Sequence, residues 1–410
     1  MTISLFNGLS GLSSHQKMLD VVSNNIANLN SNGFKRGSLR MAESQSQTMS
    51  QATTPTDTLG GTNPLQVGHG VKSNSVAYDF NQGSMEYTGR TLDMAIQGEG
   101  FFVLEDGAGV SNFTRVGSFA ADSNNYLVDQ ATGYRVQSAN GPIVIPKDES
   151  LPPQASSQVS LRGNFSPATP FPGGTPVTTG IKVYDIRGEM HDLEFSLVRT
   201  GAQTWDMTTS LPNGDGVVSD NLVSGITFNE DGSFAGVTGA GAGDNNISVT
   251  FNGLTTAQNI TFSMGTIGGL DGLTQLGGES SAAAVEENGY ASGSMVSLAV
   301  DPDGMLTGRY SNGERRDLAQ IQVATFSNPE GLEKASNNMY LESANSGQPA
   351  LGKGLSGRAG SVLGSNLESS NVDVSKEVAL MIVAQRGFQM NARVITVAND
   401  LLQEISGLVR

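Results

Sequence analysis

Most metal, redox and nucleophilic sites are built with histidine or cysteine, and this chain has few of either. It contains three histidines, His15, His69 and His191, and no cysteine. No two of the histidines lie at metal-ligand spacing, so we expect each to be a surface or turn residue. The missing thiols exclude disulfides and cysteine-based metal or redox chemistry. The sequence therefore predicts neither a metal site nor a cofactor.

Two short motifs have the outline of a ligand-binding loop. The run Asp301-Pro302-Asp303-Gly304 carries carboxylates, but it lacks the alternating ligands and the closing glutamate of a calcium loop. Gly98-Glu99-Gly100 has no third glycine at the spacing of a phosphate loop, and no helical pattern follows it. We predict a hairpin turn at the first and a turn into a buried strand at the second. No serine lies in a nucleophile elbow, so we do not expect an enzyme.

The elements with the strongest pattern lie at the two ends of the chain. Near the C-terminus, apolar residues recur every seven positions beside a partly polar column, as in the seam of a coiled coil. The first column is Met381, Phe388, Ile395, Leu402 and Val409, and its companion is Val378, Gln385, Ala392, Asn399 and Ser406. A second apolar stripe comprises Met390, Val394, Val397, Leu401 and Leu408. One partner helix cannot cover both stripes, so we expect other copies of the chain to stabilise this helix.

The first thirty residues repeat this pattern. One column is Leu5, Leu12, Leu19 and Ile26, and its companion is Leu9, Gln16 and Ser23. Interior glycines at positions 8, 11 and 387 weaken both helices, since each costs about 1 kcal/mol relative to alanine. Two such helices at opposite ends of one chain are predicted to pair antiparallel. The competing interpretation is that each is an ordinary amphipathic helix packed on its own core.

Charge is distributed unevenly along the chain. The formal net charge is −16. The first forty residues hold four basic side chains against one acidic one, and the last forty hold four of each, so the middle carries all of the net negative charge. Near-neutral ends can pack together, while an acidic middle suits a solvated outer surface. An acidic body with no basic stripe argues against nucleic-acid binding, which relies on neutralising phosphate charge.

Between its ends the sequence has a β pattern. Short apolar runs bounded by glycine, asparagine and aspartate recur from Val71 to Pro146 and resume after Met295. The segment between them contains the one tryptophan, Trp205, which we expect in its core. The predicted fold class is mainly β with long terminal α-helices. In detail it is a terminal helical coiled coil plus nested β-domains, one inserted in another.

This pattern predicts four layers along the chain. They are terminal helices at 1–30 and 371–410, connecting segments at 31–70 and 351–370, an inner β-domain at 71–146 and 285–350, and an inserted outer β-domain at 147–284. No run approaches the roughly 18 apolar residues of a membrane span, so no membrane insertion is expected. The N-terminus lacks a basic leader with an apolar core. We therefore expect either a cytoplasmic protein or export without a cleaved leader.

Motifs at both ends and in the body resemble the bacterial flagellar rod and hook proteins. The N-terminal motif is SNNIAN at 23–28 with GFKR at 33–36, the central one is LDMAI at 92–96 with GEGFF at 98–102, and the C-terminal one is NVD at 371–373 with AQRGFQMNA at 384–392. Three motifs in this order make the resemblance specific, and it covers roughly 1–146 and 285–410. Chain length and the large insertion favour the hook branch of the family.

The resemblance implies a structural subunit of the flagellar hook, which polymerises into a curved, flexible tube that transmits torque from rod to filament. It implies a homopolymer with the terminal helices in an inner tube and the β-domains further out. The implied partners are the distal rod, the hook cap, the hook–filament junction proteins and the type III export apparatus. The implied location is the extracellular hook, reached by type III export without a cleaved signal peptide.

The residues predicted to form the self-assembly interface lie on the terminal helices and in the turn after the first one. They are Leu5, Leu9, Leu12, Gln16, Leu19, Ile26, Asn28, Phe34, Val378, Met381, Gln385, Phe388, Met390, Val394, Ile395, Val397, Asn399, Leu401, Leu402 and Leu408. The polar members Gln16, Gln385 and Asn399 are expected to lie in the seams and fix helix register. The stripe from Met390 to Leu408 is expected to contact another chain and not its own N-terminal helix.

Two other functions fit parts of the pattern. A distal rod protein has the same motifs, but its family members are shorter. A secreted glycan-binding or glycan-cleaving β-protein with helical oligomerisation stalks would need a cleft with paired carboxylates and rows of exposed aromatic residues. Aromatic residues make up only 6% of this chain, which disfavours the glycan alternative.

Overall fold

The computed structural model describes residues 2–55, 60–147, 150–212, 214–239 and 244–408. The chain divides into two units. Unit 1 comprises Met1–Pro146, Leu298–Thr307 and Asp317–Arg410, and unit 2 comprises Lys147–Ser297 and Gly308–Arg316. Unit 2 is therefore inserted in unit 1.

Two long α-helices form the sequence ends of unit 1. α1 spans Thr2–Ala27 and α2 spans Val374–Leu408. α1 stops in the asparagine-rich turn that the sequence predicts, because asparagine side chains compete for backbone hydrogen bonds and Gly33 adopts a φ of +65°. α2 begins after Asp373, whose carboxylate accepts hydrogen bonds from two backbone N–H groups of the first turn, at 2.9 and 3.2 Å. No described helix has the length and apolarity that a membrane span requires.

The first strands of unit 1 follow α1. They are β1 (Gly37–Glu43), β2 (Ser46–Ser50), β3 (Leu65–Gly68), β4 (Val71–Tyr78), β5 (Met85–Tyr87), β6 (Met94–Gln97), β7 (Phe101–Glu105), β8 (Ser111–Thr114), β9 (Phe119–Ala121), β10 (Leu127–Asp129), β11 (Arg135–Ser138) and β12 (Gly141–Pro142). β1 pairs antiparallel with β4, and β2 pairs antiparallel with β3. Every residue of β2 is exposed, so the polar β2–β3 ribbon is held by its backbone hydrogen bonds and not by a core.

Unit 2 contains two sheets that share one core. Its strands are β13 (Gln158–Asn164), β14 (Val177–Tyr184), β15 (Met190–Arg199), β16 (Thr204–Ser210), β17 (Gly216–Asp220), β18 (Leu222–Phe228), β19 (Phe234–Val237), β20 (Asn246–Phe251), β21 (Gln258–Ser263), β22 (Leu273–Thr274) and β23 (Ala283–Glu287). One sheet has the order β17-β20-β21-β13-β22 with β23 beside β13, and the other has the order β14-β15-β16-β18-β19. Inward side chains of both sheets meet. Trp205 lies in this core, stacked on Phe165 with ring centroids 4.4 Å apart, as the sequence predicts.

The remaining elements lead back to the C-terminal helix. They are β24 (Met295–Val300), β25 (Met305–Tyr310), β26 (Arg315–Gln320), β27 (Val323–Thr325), a short 3-10 helix (Pro329–Gly331), β28 (Glu333–Lys334), β29 (Met339–Leu341), β30 (Ala350–Gly352), β31 (Ser361–Gly364) and β32 (Asn366–Glu368). The main sheet of unit 1 has the order β28-β29-β8-β7-β11-β10-β9, with β12 beside β11 and β27 between β7 and β30. β31 pairs with β6 and β32 with β5, so early and late segments interleave in one unit.

The glycine-rich motif in the middle of unit 1 is a turn. The strand pattern over 93–104 is broken there, because Gly98 and Gly100 adopt φ values of +113° and +131°. β7 follows at once, and its first four residues are buried, which confirms the predicted turn into a buried strand. The fold class is confirmed as mainly β with long terminal helices and nested β regions. The finer division into four layers stays a prediction.

Candidate assembly surface

The two terminal helices pack against each other in opposite directions. Gly8, in the first half of α1, faces Ile395 in the second half of α2. At the other end of the pair, the Asn25 amide donates to the Glu377 carboxylate at 3.0 Å. Residue numbers therefore rise along one helix as they fall along the other. The predicted antiparallel pairing is confirmed.

Small residues let the helices approach closely, and we call this contact the helix seam. A Cβ added to Gly11 would lie 2.5 Å from the Asn391 side chain, and one added to Gly387 would lie 2.5 Å from the His15 ring. Ala384, on the same side of α2, is fully buried. A contact of 2.5 Å leaves no room for a methyl group. Glycine at both positions therefore permits this close approach without displacing the Asn391 and His15 side chains.

The column of α2 that faces the helix seam differs by one residue from the predicted column. Its members recur every seven residues and are Glu377, Ala384, Asn391 and Ala398, which are buried or partly buried. In the predicted companion column, Val378, Gln385 and Asn399 are exposed. Gln385 and Asn399 therefore do not lie between the two helices of one chain, and their predicted place in a seam stays a prediction for contacts with other copies. Two of these four seam residues are alanine and two are polar, and the larger apolar residues beside them lie outside the helix seam.

α1 shows the same displacement. Its buried residues are Gly8, Gly11, Ser14, Val22 and Asn25. The predicted column of Leu5, Leu12, Leu19 and Ile26 is only partly buried, and Leu9 and Gln16 are exposed. Gln16 therefore also lies outside the helix seam of the single chain, and its predicted seam role stays a prediction. The leucine column flanks the buried face of the helix rather than forming it.

A polar cluster joins the end of α1 to the start of α2, with Asn25 at its centre. The Asn25 amide nitrogen donates to the Gly37 carbonyl at 2.8 Å as well as to Glu377, and its oxygen accepts from the Gly37 N–H at 3.0 Å. Arg36 forms an ion pair with Glu377, whose side chain is fully buried. Buried polar groups need partners of this kind. The cluster fixes the register of α1 on α2.

A second buried ion pair lies between the chain ends. Lys35 donates to Glu368 at 2.6 Å with side-chain exposures of 1% and 0%, and Arg115 lies 3.6 Å from the same carboxylate. Burial lowers the pKa of Lys35 and of Arg115, and the negative charge of Glu368 opposes both shifts. The Lys35 ammonium also donates to the Asn81 carbonyl at 2.9 Å. Glu368 thus ties three distant segments of unit 1 together.

Asn371 completes this arrangement. Its side-chain oxygen accepts from the Arg36 backbone N–H at 2.8 Å. Its amide nitrogen donates to the carbonyls of Asp79 at 2.7 Å and Asn81 at 3.0 Å. We call the six connected residues the polar clamp; they are Asn25, Lys35, Arg36, Glu368, Asn371 and Glu377. The polar clamp holds the last turn of α1 next to the first turn of α2.

Two residues predicted for the assembly interface have partners within the chain. Phe34 is only 2% exposed, and the Lys334 ammonium lies 4.5 Å from its ring centroid. The Asn28 amide donates to the Asn24 carbonyl at 2.9 Å, and its oxygen accepts from the Ser31 hydroxyl at 3.0 Å. Phe34 is therefore a core residue and not part of the exposed surface. Asn28 shapes the turn that ends α1.

Large apolar side chains stay exposed along both helices, and we call them the exposed helix face. The predicted residues among them are Leu9, Val378, Met390, Val394, Val397, Leu401 and Leu402. Sequence reasoning missed Ile3, Phe6, Val374, Ile382, Val383 and Ile405. These six lie outside the chosen columns, and counting every apolar position on the helix surface would have found them.

The remaining predicted interface residues lie beside the helix seam or have side chains outside the described part of the structure. The partly buried ones on α2 are Met381, Phe388 and Ile395. The side chain of Leu408 lies outside the described residues. An apolar groove of about 290 Å³ opens between the helices, lined by Leu5, Phe6, Leu9 and Ile395.

Four family models match successive parts of the chain. Their descriptions are Flagella basal body rod protein (residues 5–35), Flagellar hook protein FlgE/F/G D1 domain (95–166), Flagellar basal body protein FlaE D2 domain (152–290) and Flagellar basal body rod FlgEFG protein C-terminal (364–408). The first and last matches together contain five of the six polar-clamp residues. The sixth, Arg36, is the residue directly after the first match.

Two relatives that match this chain over nearly the full length of both proteins have the same name. The flagellar hook protein FlgE of Borreliella burgdorferi is 35% identical over 99% of this chain and 99% of its own length. That of Salmonella typhimurium is 33% identical over 99% of this chain and 100% of its own length. The chain belongs to the flagellar hook protein family. A crystal structure of Helicobacter pylori flagellar hook protein FlgE2 has the same fold, with a TM-score of 0.52 and 15% identity over 69% of this chain and 100% of that one.

Membership of the hook protein family confirms the resemblance that the motifs indicate. The structure also gives those motifs a physical role. The N-terminal motif contributes Asn25, Lys35 and Arg36, and the C-terminal motif contributes Asn371, Gly387 and Asn391. Arg36 and Asn371 bind each other, Asn25 and Lys35 bind Glu377 and Glu368 of the polar clamp, and Gly387 and Asn391 pack in the helix seam. In this hook-family chain, the motif residues thus hold the two chain ends together.

Proposed function

We propose that this chain is the structural subunit of a bacterial flagellar hook, which polymerises into a curved, flexible tube and transmits torque from rod to filament. The relatives that match it over their whole length are named hook proteins, and this disfavours both the distal rod and the glycan-protein alternatives. A hook is a homopolymer, so the surface that matters for function is the one through which copies bind each other.

The observation that carries the assembly mechanism is the exposed helix face. Met390 is 71% exposed, Phe6 66% and Val383 57%. Burying the exposed half of such a side chain contributes about 1 kcal/mol, and contiguous apolar surface of this kind marks an interaction site. Since small residues already fill the helix seam, the large ones are free for other copies. The exposed helix face is therefore the contact surface between neighbouring subunits.

The polar residues of the predicted interface have a related role in this proposal. Gln16, Gln385 and Asn399 are exposed on the helices, where they would meet neighbouring subunits and not the partner helix of their own chain. A polar residue within an apolar helix contact favours one register over others. We propose that these three residues set the register between subunits, together with the partly buried leucine column of α1.

The arrangement of the domains in layers determines how the polymer bends and resists twisting. In this proposal the helices at 1–30 and 371–410 form a tightly packed inner tube that resists twisting. The connecting segments at 31–70 and 351–370 join them to an inner β-domain at 71–146 and 285–350 and an outer one at 147–284. The β-domains of neighbouring subunits slide past each other as the tube bends.

The finer partners and the route of export follow from the same role. A hook segment meets the distal rod at one end and the hook–filament junction proteins at the other, and it grows beneath a hook cap. Its subunits pass through the type III export apparatus and assemble outside the cell. These partners and this location are proposed from the hook role.

A charge placed on the exposed helix face tests the proposal directly. Met390→Glu should abolish tube formation, because a buried unpaired carboxylate is strongly unfavourable. Gln389→Glu adds the same charge at an exposed polar neighbour and should still assemble. Electron microscopy of concentrated protein reads out both variants. Tubes of Met390→Glu like those of the wild type would refute the assembly surface, and straight wild-type tubes would indicate a rod subunit.

A further inference from the structure

The hairpin of β14 and β15 in unit 2 places three ligand-type side chains on one face. Val183 and His191 are directly opposite in the register of the two strands. The Asp185 N–H donates to the Glu189 carbonyl at 3.0 Å, and Gly188 turns the chain with a φ of +82°. Residues two apart on a strand, and residues opposite each other, share a face. Asp185, Glu189 and His191 therefore leave the hairpin on the same side.

His191 is the unusual member of this group. The sequence predicts a surface or turn histidine, but the structure buries it, with 7% exposure, and stacks its ring on Phe251 at a centroid distance of 4.1 Å. Its Nε2 atom is buried without a hydrogen-bond partner. The nearest acidic group to Nε2 is the Asp185 Oδ2 atom, at 3.7 Å. A buried polar atom without a protein partner needs another partner, which a bound ion or a water molecule can supply.

Two further contacts prepare this nitrogen to bind a cation. Asp215 Oδ2 lies 4.0 Å from the other ring nitrogen, Nδ1, so a second carboxylate adds negative charge beside the ring. Asp185 divides its two oxygens between tasks. Oδ1 accepts hydrogen bonds from the backbone N–H groups of Arg187 and Glu189, both at 2.8 Å, and Oδ2 is left to face His191.

We propose that Asp185, Glu189 and His191 bind a divalent ion of the zinc class. One ligand atom from each residue lies within 4.8 Å of the other two. Imidazole nitrogen and carboxylate oxygen bind zinc at about 2.0–2.2 Å, so a small movement of the exposed Glu189 side chain closes the site, and water supplies the remaining ligand. The ion would lock the two ends of the turn together. This inference does not depend on the hook role.

The test uses the full chain, freed of metal with a chelator and titrated with Zn²⁺ by calorimetry, and with Co²⁺ followed by visible absorption. We expect one equivalent of Zn²⁺ to bind and to raise the midpoint of unfolding followed by Trp205 fluorescence. Glu189→Gln should weaken Zn²⁺ binding at least tenfold. Asp185→Asn keeps an oxygen for the turn and should weaken binding similarly. Glu194→Gln, an exposed carboxylate on the same strand, should leave binding unchanged.

Three results would overturn the metal site. The first is no saturable Zn²⁺ binding up to about 1 mM. The second is binding that Glu189→Gln and Asp185→Asn leave unaltered in variants with wild-type Trp205 fluorescence, since the ion would then lie elsewhere. The third is unchanged metal-free and metal-treated unfolding midpoints. That result would mean that no ion binds the folded chain in preference to the unfolded one.

Discussion

At the scale of single residues, the polar clamp buries charges in a protein that is otherwise held by apolar cores. Glu368 and Glu377 both have fully buried side chains. Removing such charges from water costs several kcal/mol per ion, so a buried ion pair is weak evidence for added stability. What the pairs do provide is a single arrangement, because any shift of α1 along α2 would separate Asn25 from Glu377. We infer that the polar clamp selects the register of the helices.

Lys35→Met tests this clamp. The substitution leaves Glu368 buried with only Arg115, 3.6 Å away, as a charged partner, and we expect it to lower the free energy of unfolding by about 3 kcal/mol. Arg40→Met is the control, because the Arg40–Glu330 pair is 62% and 54% exposed and should contribute less than about 1 kcal/mol. Urea unfolding followed by far-UV circular dichroism measures both. Equal effects would show that burial of the pair has no energetic consequence.

Glu287 in unit 2 gives a pH dependence with a definite sign. Burial raises its pKa above the ordinary value of 4.5, against a hydrogen bond with Ser156. The folded chain therefore binds this proton more tightly than the unfolded chain. The stabilisation that this bound proton contributes is fully present below pH 4.5 and is lost as the pH rises through the raised pKa. As the pH rises from about 4 to about 7, the free energy of unfolding of Glu287→Gln should therefore increase relative to that of the wild type.

Unfolding followed by Trp205 fluorescence measures this change, because the one tryptophan lies in the core of unit 2. The exposed Glu194 serves as the control, with the same change of glutamate to glutamine. A stability difference between Glu287→Gln and wild type that stays constant from pH 4 to pH 7 would contradict the raised pKa.

At the scale of elements, the helix seam makes opposite predictions for two glycines of α2. Gly387→Ala improves helix propensity by about 1 kcal/mol, but its methyl group would lie 2.5 Å from the His15 ring. Displacing that ring costs about 1–3 kcal/mol, so tubes of this variant should melt at a lower temperature. Gly407→Ala has no atom within 4 Å of its added methyl group and should melt at or above the wild-type temperature. Light scattering during heating compares them, and a more stable Gly387→Ala tube would refute the close approach.

The same glycines show what sequence can and cannot reveal about helix packing. Apolar periodicity correctly predicts two long terminal helices and their antiparallel pairing. It predicts a contact column that contains Gln385, whereas the buried column contains the neighbouring residue Ala384. The reason is that hydrophobicity indicates which side chains avoid water and not which helix face has a partner in the same chain. Small residues at Gly8, Gly11 and Gly387 were visible as weak helix formers. Their spacing was the available signal for a close contact.

The β regions follow a similar rule. Local signals suffice where one residue decides, as at Gly98 and Gly100, whose positive φ values end one strand and start another. The burial of His191 was not predictable, because it depends on Phe251, which reaches it from a strand sixty residues later in the chain. Long-range pairing also decides that β31 meets β6 and that β32 meets β5. These long-range strand pairings cannot be deduced from a single sequence.

At the scale of the whole molecule, the two chain ends depend on each other more than on the rest of unit 1. Each helix covers one face of its partner and leaves the other face exposed, as Leu9 and Met390 show. Both contain interior glycines, and isolated helices of this kind are marginal in water. The β regions of unit 1 and unit 2 have cores of their own. Loss of one helix should therefore release the other and leave the β regions folded.

Limited proteolysis of the monomer tests this coupling. Protease should trim both termini at the same rate and leave a fragment of about residues 37–368, from β1 to β32, because neither helix keeps its partner once the other is cut. Assembled tubes should resist at both ends, since neighbouring subunits then cover the exposed helix face. Mass spectrometry of the time course identifies the cuts. Termini as resistant in the monomer as in the tube would mean that the helix pair is stable alone, and assembly would then add contacts without completing the fold of the subunit.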